Sequence, residues 1–268
     1  MHRSPAPRRL AIAMRAAVIT AFAVALFSAP ATSATSVSDA EALAIGWINS
    51  DRMDRGLAPL RTDGDLAAIA GIRASRMASA NVMNHTVGGN IPAQLDWYNV
   101  AWYRYGETIG WSTASFPTNS ARAIYQAWMG SSEHRALLLS SNLNYIGVGL
   151  AYRSSNHRTY GSAVLTESPD HTRPVARVTG SSRSGDDVRW TWNGYDPRLQ
   201  THTAGFRDYD VQYRVGSGTW SLIRDNTLSA SITIANRPGG RYYSIRVRAT
   251  DRRGNVGKWS SEARVWVP

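Results

Sequence analysis

Cysteine is missing from all 268 residues. That absence excludes disulfides, thiol nucleophiles and thiolate metal sites together. The fold must therefore be held by its apolar cores. Beyond the first 34 residues no apolar run is long enough to span a bilayer. Three catalytic signatures are also missing: a His-Glu-x-x-His helix, a Gly-x-Ser-x-Gly elbow and a phosphate-binding glycine loop. There is no solenoid repeat and no low-complexity tract.

What is present begins with a leader-like segment. Arg3, Arg8, Arg9 and Arg15 form a basic stretch, "AAVITAFAVALFSA" follows as an apolar stretch, and "APA" and "TSA" supply small residues. This order predicts a secretory signal peptide over residues 1–34 and an extracellular protein. The net charge of +11 is unevenly spread. The leader arginines account for four positive charges. Residues 35–173 carry eleven Arg against eleven Asp and Glu, so they are neutral. Residues 174–268 carry fourteen Arg and one Lys against eight acids, so the whole remaining excess lies there. Such an excess suits an anionic cell-wall polymer or membrane surface, or else reflects a general preference for arginine with no ligand; nucleic acid is not the expected partner.

The two halves differ in period. "SDAEALAIGWINSDRMDRG", "DLAAIAGIRASRMAS" and "TNSARAIYQAWMG" place apolar residues at helical spacing. In the second of these Leu66, Ile69, Ala70, Arg73 and Met77 share one stripe. "NYIGVGLAYR" alternates, with Ile146, Val148 and Leu150 on one face and Gly147, Gly149 and Ala151 on the other. The small face allows a helix or another backbone to approach closely. "YGSAVLTES" predicts a second strand, joined through "SSNHR". Helices with a small antiparallel sheet predict an α+β fold, an α-β-α sandwich, over residues 35–167. "SPDHTRP" (168–174) reads as a linker. Seven short segments of period two follow over residues 175–268: "VARVTG", "DVRWTWNGYD", "RDYDVQYRV", "GTWSLIRD", "ASITIAN", "YYSIRVRATD" and "ARVWVP". They predict an all-β, Ig-like sandwich. Tyr243, Ile245, Val247 and Ala249 are expected in its core, with Arg246 and Arg248 in solvent.

The first half resembles the CAP superfamily, named for cysteine-rich secretory proteins, antigen 5 and plant pathogenesis-related proteins, in its cysteine-free bacterial form. The likeness rests on "WINSDRMDRGLAPLRTDGDLAAIAGIRASRMAS", "MNHT", "YGETIGWS", "WMGSSEHR" and "YIGVGLA", in that order. The second half is similar to fibronectin type III modules through "WTWNGYD", "YDVQYRVGSGTWS" and "YYSIRVRATDRRGNVGKWS".

The first resemblance implies a cleft lined by two histidines and two glutamates. His85, Glu107 and His134 match three of those positions. Ser131 stands where animal members usually carry Glu, and Thr108 where the family usually has Asn. Ser131 and Trp128 are then expected to line the cleft. Ser131 or Ser132 caps a short helix with His134 in its first turn, where the positive helix end disfavours imidazolium. A neutral imidazole is the form that ligates metal. Two imidazoles and the Glu107 carboxylate would suit Zn²⁺ or another divalent cation with one open position. Ser131 or Ser132 beside His134 invites a serine-hydrolase reading, but capping is the expected use of both. "NHT" (84–86) fits a glycosylation sequon by chance. Trp102, Tyr105 and Trp111, in an aromatic-rich loop around Glu107, are candidate contacts for a sugar or lipid. The function expected overall is a secreted, non-enzymatic binding protein with a cleft for a small ligand, lipid or divalent metal and a basic module for cell-surface attachment. The alternative is a secreted metal-dependent hydrolase with Glu107 as general base on a metal-bound water. In a third reading the cleft residues only pack.

Overall fold

The computed structural model describes residues 35–268. The expected signal peptide lies outside the described residues. Five helices and four strands make up their first part. Helix α1 (Val37–Met53) opens with a capping box in which Ser36 and Asp39 bond each other's backbone. Strand β1 (Arg61–Thr62) leads to α2 (Gly64–Ala80), capped by Asp63 and ended by Asn81 in the left-handed conformation. Next come α3 (Ile91–Trp97), β2 (Arg104–Ser112), α4 (Thr118–Gly130), α5 (Ser132–Leu138), β3 (Tyr145–Arg153) and β4 (Arg158–Glu167). The sheet order is β1-β3-β4-β2, antiparallel except for the β1–β3 pair.

Helices cover both faces of this sheet. Ile146, Val148 and Leu150 of β3, with Ala163 and Leu165 of β4, are buried against Ala44 and Ile48 of α1 and Ile124 and Trp128 of α4. On the opposite face Val164 and Tyr145 pack with Leu66, Ile69 and Ala70 of α2. The glycines of β3 set the distance to α2. A Cβ on Gly147 would lie 2.1 Å from backbone atoms of Leu66 and Ala67, and one on Gly149 would lie 2.2 Å from the backbone of Gly71. The small face expected from the alternation is therefore the seat of α2.

The segment expected to be an aromatic loop around Glu107 is instead strand β2. Its alternation is one of size rather than polarity. Gly106 and Gly110 face Leu137 and Trp128, while Glu107 and Ile109, paired in register with Val164 and Ser162, face α2.

All seven C-terminal segments are strands: β5 (Val175–Ser184), β6 (Asp187–Tyr195), β7 (Phe206–Val215), β8 (Ser221–Thr227), β9 (Ser231–Ile234), β10 (Arg241–Asp251) and β11 (Ala263–Val267). They form sheets ordered β11-β10-β7-β8 and β5-β6-β9. The two sheets share one core that contains Trp190, Trp192, Val211, Tyr243, Ile245, Val247 and Ala249. Arg246 lies over the rings of Trp220 and Trp259, and Arg248 over Trp259.

The β6–β7 connection is driven into the first part of the chain. Leu199 is 2% exposed and belongs to the cluster of Leu66, Leu95 and Tyr145. Around it Ala58 N donates to Gln200 Oε1 at 2.7 Å, Asn144 Nδ2 donates to the Thr201 carbonyl at 3.2 Å, and His202 meets Glu167 at 2.9 Å. Residues 168–174 add a second tie. His171 Nε2 lies 2.8 Å from Asp63 Oδ2, and its ring stacks on Tyr145 at 3.9 Å.

Candidate functional site

The site is built around a residue on a packing stripe. Arg73 lies on the apolar stripe of α2 and is 1% exposed. A guanidinium so placed needs a carboxylate and further acceptors. It finds Glu107, which β2 projects onto the same face of the sheet. Arg73 Nε donates to Glu107 Oε1 and Nη2 donates to Oε2, the latter at 2.7 Å. This is a two-pronged pair of the kind arginine's planar fork favours. The other prongs organise the loop that carries His85. Nη2 donates to the His85 carbonyl at 2.7 Å, and Nη1 donates to the Gly89 carbonyl at 2.7 Å and to Gln94 Oε1 at 3.1 Å. Gly88 must be glycine here, because a Cβ would lie 2.6 Å from the guanidinium carbon.

Glu107 is saturated as an acceptor. Besides Arg73 it receives the Ser162 hydroxyl at 2.8 Å on Oε1 and meets His85 Nδ1 at 2.7 Å through Oε2. Burial pushes its carboxyl up, but the hydrogen bonds from Arg73 and His85, the charge of Arg73 and the Ser162 hydroxyl outweigh that and hold it below the usual glutamate value. It stays ionised and is a weak base. His85 is the opposite kind of group, with 56% of its side chain exposed. In the neutral ring Nδ1–H donates to Glu107, which leaves Nε2 with a free lone pair. Beside it opens a hollow of about 490 Å³ whose walls include His85, Thr86, Asn90, Pro92, Tyr105 and Glu107.

The other expected site residues separate from this group. His134 is half-buried in the first turn of α5, where its backbone N–H donates to the Ser131 hydroxyl at 3.5 Å. It is not in the wall of the hollow. Among the described residues, Asp170, Asp196 and Asp251 form the one group of three whose ligand atoms all lie within 4.8 Å of one another, so His85, Glu107 and His134 do not make such a set. Ser131 is a helix cap and not a cleft wall. Trp128 is 1% exposed in the core with Ile124 and Leu138, because its large ring fills the space above Gly110. Tyr105 does line the hollow. Trp102 props Tyr105 edge-on at 5.2 Å, and Trp111 is covered by Arg158 at 4.3 Å outside the hollow's wall.

A divalent ion fits this arrangement badly. Both Glu107 oxygens already accept hydrogen bonds, a buried cation touches both of them, and the second imidazole does not join. Zn²⁺ wants free carboxylate or imidazole lone pairs at about 2.0–2.2 Å. His85 Nε2 is the one such atom that the pair leaves open. The general-base role expected for Glu107 fails for the same reason. The residue missed in the sequence was Arg73, and the signal was a positive charge inside an apolar helical stripe.

Residues 45–165 match the model of the cysteine-rich secretory protein family, CAP. That stretch holds Arg73, His85, Glu107 and His134 and is under half of the chain. Across 118 residues the chain is 30% identical to the uncharacterized protein YkwD of Bacillus subtilis (strain 168), covering 43% of this chain and 44% of that one. The chain thus spans less than half the length of that curated relative. Among solved structures it is similar to an extracellular protein containing an SCP domain from Bacillus anthracis str. Ames, at 20% identity, 48% and 40% coverage and a TM-score of 0.42. It is also similar to an Fn3-like protein from Clostridium thermocellum, at 25% identity, 35% and 94% coverage and a TM-score of 0.26. Among the described residues no helix is long and apolar enough to cross a membrane.

Proposed function

We propose that this is an extracellular, non-catalytic binding protein whose CAP domain takes a small organic ligand against His85. The arrangement that carries this reading is the saturated Arg73–Glu107 pair, which fixes the His85 ring and its loop beside an open hollow. A rigidly oriented acceptor in a concave, part-apolar wall is the usual make-up of a ligand site. Extracellular placement is supported by the basic, apolar and small-residue order of the first 34 residues. The test is imidazole NMR of the protein titrated with dipeptides, monosaccharides and short fatty acids. At least one class should move the His85 signals and leave the exposed His157 still. His85 signals unmoved by every class would contradict the reading.

The C-terminal strands are proposed to be a fibronectin type III-like module that holds the protein on an anionic cell-wall polymer or membrane surface. The support is the excess of positive charge confined to residues 174–268. Binding to cell-wall material should then fall steeply as salt rises from low to physiological strength.

The His85–Glu107 contact also favours a second reading, a metal-free hydrolase in which His85 Nε2 takes the proton of an attacking water. Turnover of any ester or peptide that survives in His85→Gln would remove it.

A further inference from the structure

The hollow at His85 does not end there. A second hollow of about 370 Å³ shares Gly89 and Asn90 with it and runs beside α3 to Trp97. A third, of about 610 Å³, shares Ile72 and Arg76 with the second. The three therefore lie side by side as a grooved surface whose walls come from α2, α3 and the loop between them. Trp97 stands on it 84% exposed, by far the most exposed tryptophan of the CAP domain. No fold requirement places an indole there, because an exposed ring adds almost nothing to a core.

A groove of this length fits a polymer rather than a single small molecule, and its walls select among polymers. A peptide bound by strand addition needs free backbone groups at a sheet edge, whereas the groove's long walls are helices whose backbone groups are bonded internally. An acyl chain needs an enclosed apolar tunnel, and this groove is open and carries Arg76 and Asn90. What remains are a flat exposed indole and side-chain hydrogen-bonding groups. The Asn90 carbonyl caps α3 through Ala93 N, while its NH₂ is turned to no acceptor among the described residues. Arg76 gives one N–H to the Gly88 carbonyl and pairs with no carboxylate among the described residues. Sugar rings present C–H faces to an aromatic ring and hydroxyl or amide groups at their rims, and tryptophan pairs an apolar face with polar surroundings in the same way. Ile72 and Ala93 line the same hollow as Asn90, so apolar surface and a side-chain amide occur together there, the pairing that an acetamido group's methyl and carbonyl use.

From this we infer that the groove binds an extended glycan bearing N-acetylamino groups, with one ring stacked on Trp97 and the chain running toward His85. The inference rests on the CAP cleft being a ligand site and adds the class and the extent of the ligand.

Titration calorimetry of the protein with the β-1,4-linked hexamer of N-acetylglucosamine tests it, beside the β-1,4-linked glucose hexamer. Saturable binding of the first is expected, weakened at least ten-fold in Trp97→Ala, partly restored in Trp97→Phe and unchanged in Trp111→Ala. Because Trp97 is exposed, thermal melting of the variant should match the parent, so loss of binding would not reflect loss of fold. Absence of binding by the parent protein, or equal binding by Trp97→Ala, overturns the inference. Equal affinity for the glucose hexamer overturns its acetamido part. Movement of His85 by another probe class in the NMR titration would leave the cleft reading standing while this extension falls.

Discussion

Arg73 and Glu107, 34 positions apart, meet in a two-pronged ion pair with side chains 1% and 2% exposed. The pair joins helix α2 to strand β2, and its spare N–H groups hold the loop of His85. Breaking it leaves one uncompensated buried charge. Arg73→Met or Glu107→Leu alone should lower stability by about 3–5 kcal/mol in urea melts. The double variant should lose clearly less than the sum of the two, because it buries no charge. Additive losses would show that the residues are not coupled.

The lowered carboxyl of Glu107 makes a prediction about acid. A group whose folded value lies below its unfolded one contributes stability above the unfolded value, and that contribution is lost as pH falls through the folded value. Glu107 should therefore add stability above a pH of 4.5 that disappears as acid titrates it. Glu107→Gln should flatten that limb of the stability curve. A variant with the parent's acid limb would assign the acid sensitivity elsewhere.

A second pH-dependent contact lies at the junction. The bond to Asp63 raises His171 against the opposing effect of burial, and burial raises Asp63 less than His171 and the Leu66 N–H lower it. The histidine's share of stability is complete below pH 6.5 and is lost as pH rises through its folded value. The aspartate's share is present above pH 3.8 and is lost as pH falls. The contact is strongest between those limits. His171→Gln should remove the loss of stability on the alkaline side, as measured by melting temperature between pH 6 and pH 9.

Leu199 is the apolar half of that junction. Leu199→Ala should cost about 2–5 kcal/mol if the site cannot collapse. It should also make limited proteolysis within 196–205 faster. Unchanged cleavage would mean that the connection is not held by this side chain.

Glycine positions offer a paired test of packing. Gly147→Ala and Gly149→Ala would drive a methyl into the backbone of α2, and each should destabilise by at least about 1–3 kcal/mol. Gly46, inside α1, has nothing within 4 Å of the point where a methyl would sit, so Gly46→Ala should be neutral or stabilising by up to about 1 kcal/mol.

These positions show which parts of the molecule can be read from the sequence. The alternation of β3 gave both of its faces, because small and branched residues strictly alternate there, and the C-terminal strands followed from the same period. Strand β2 was hidden because its alternation is small against large, with Glu107 and Trp111 on the large side. Helix α3, from Ile91 to Trp97, is too short to show a period. At the site His85 and Glu107 were legible from their motifs, but their relation was not. It depends on Arg73, whose place on an apolar stripe reads as packing until its charge is asked for a partner. His134, Ser131 and Trp128 were drawn toward the cleft by motif order, whereas capping and core packing account for where Ser131 and Trp128 lie.

The Glu107 carboxylate is committed to Arg73, Ser162 and His85, which leaves a divalent ion no free oxygen there. Calorimetric titration of the protein with Zn²⁺, beside the His85→Ala/His134→Ala double variant, tests it most directly. The expected result is no saturable one-site binding that depends on these histidines. One site per chain, present in the parent and lost in the double variant, would contradict it.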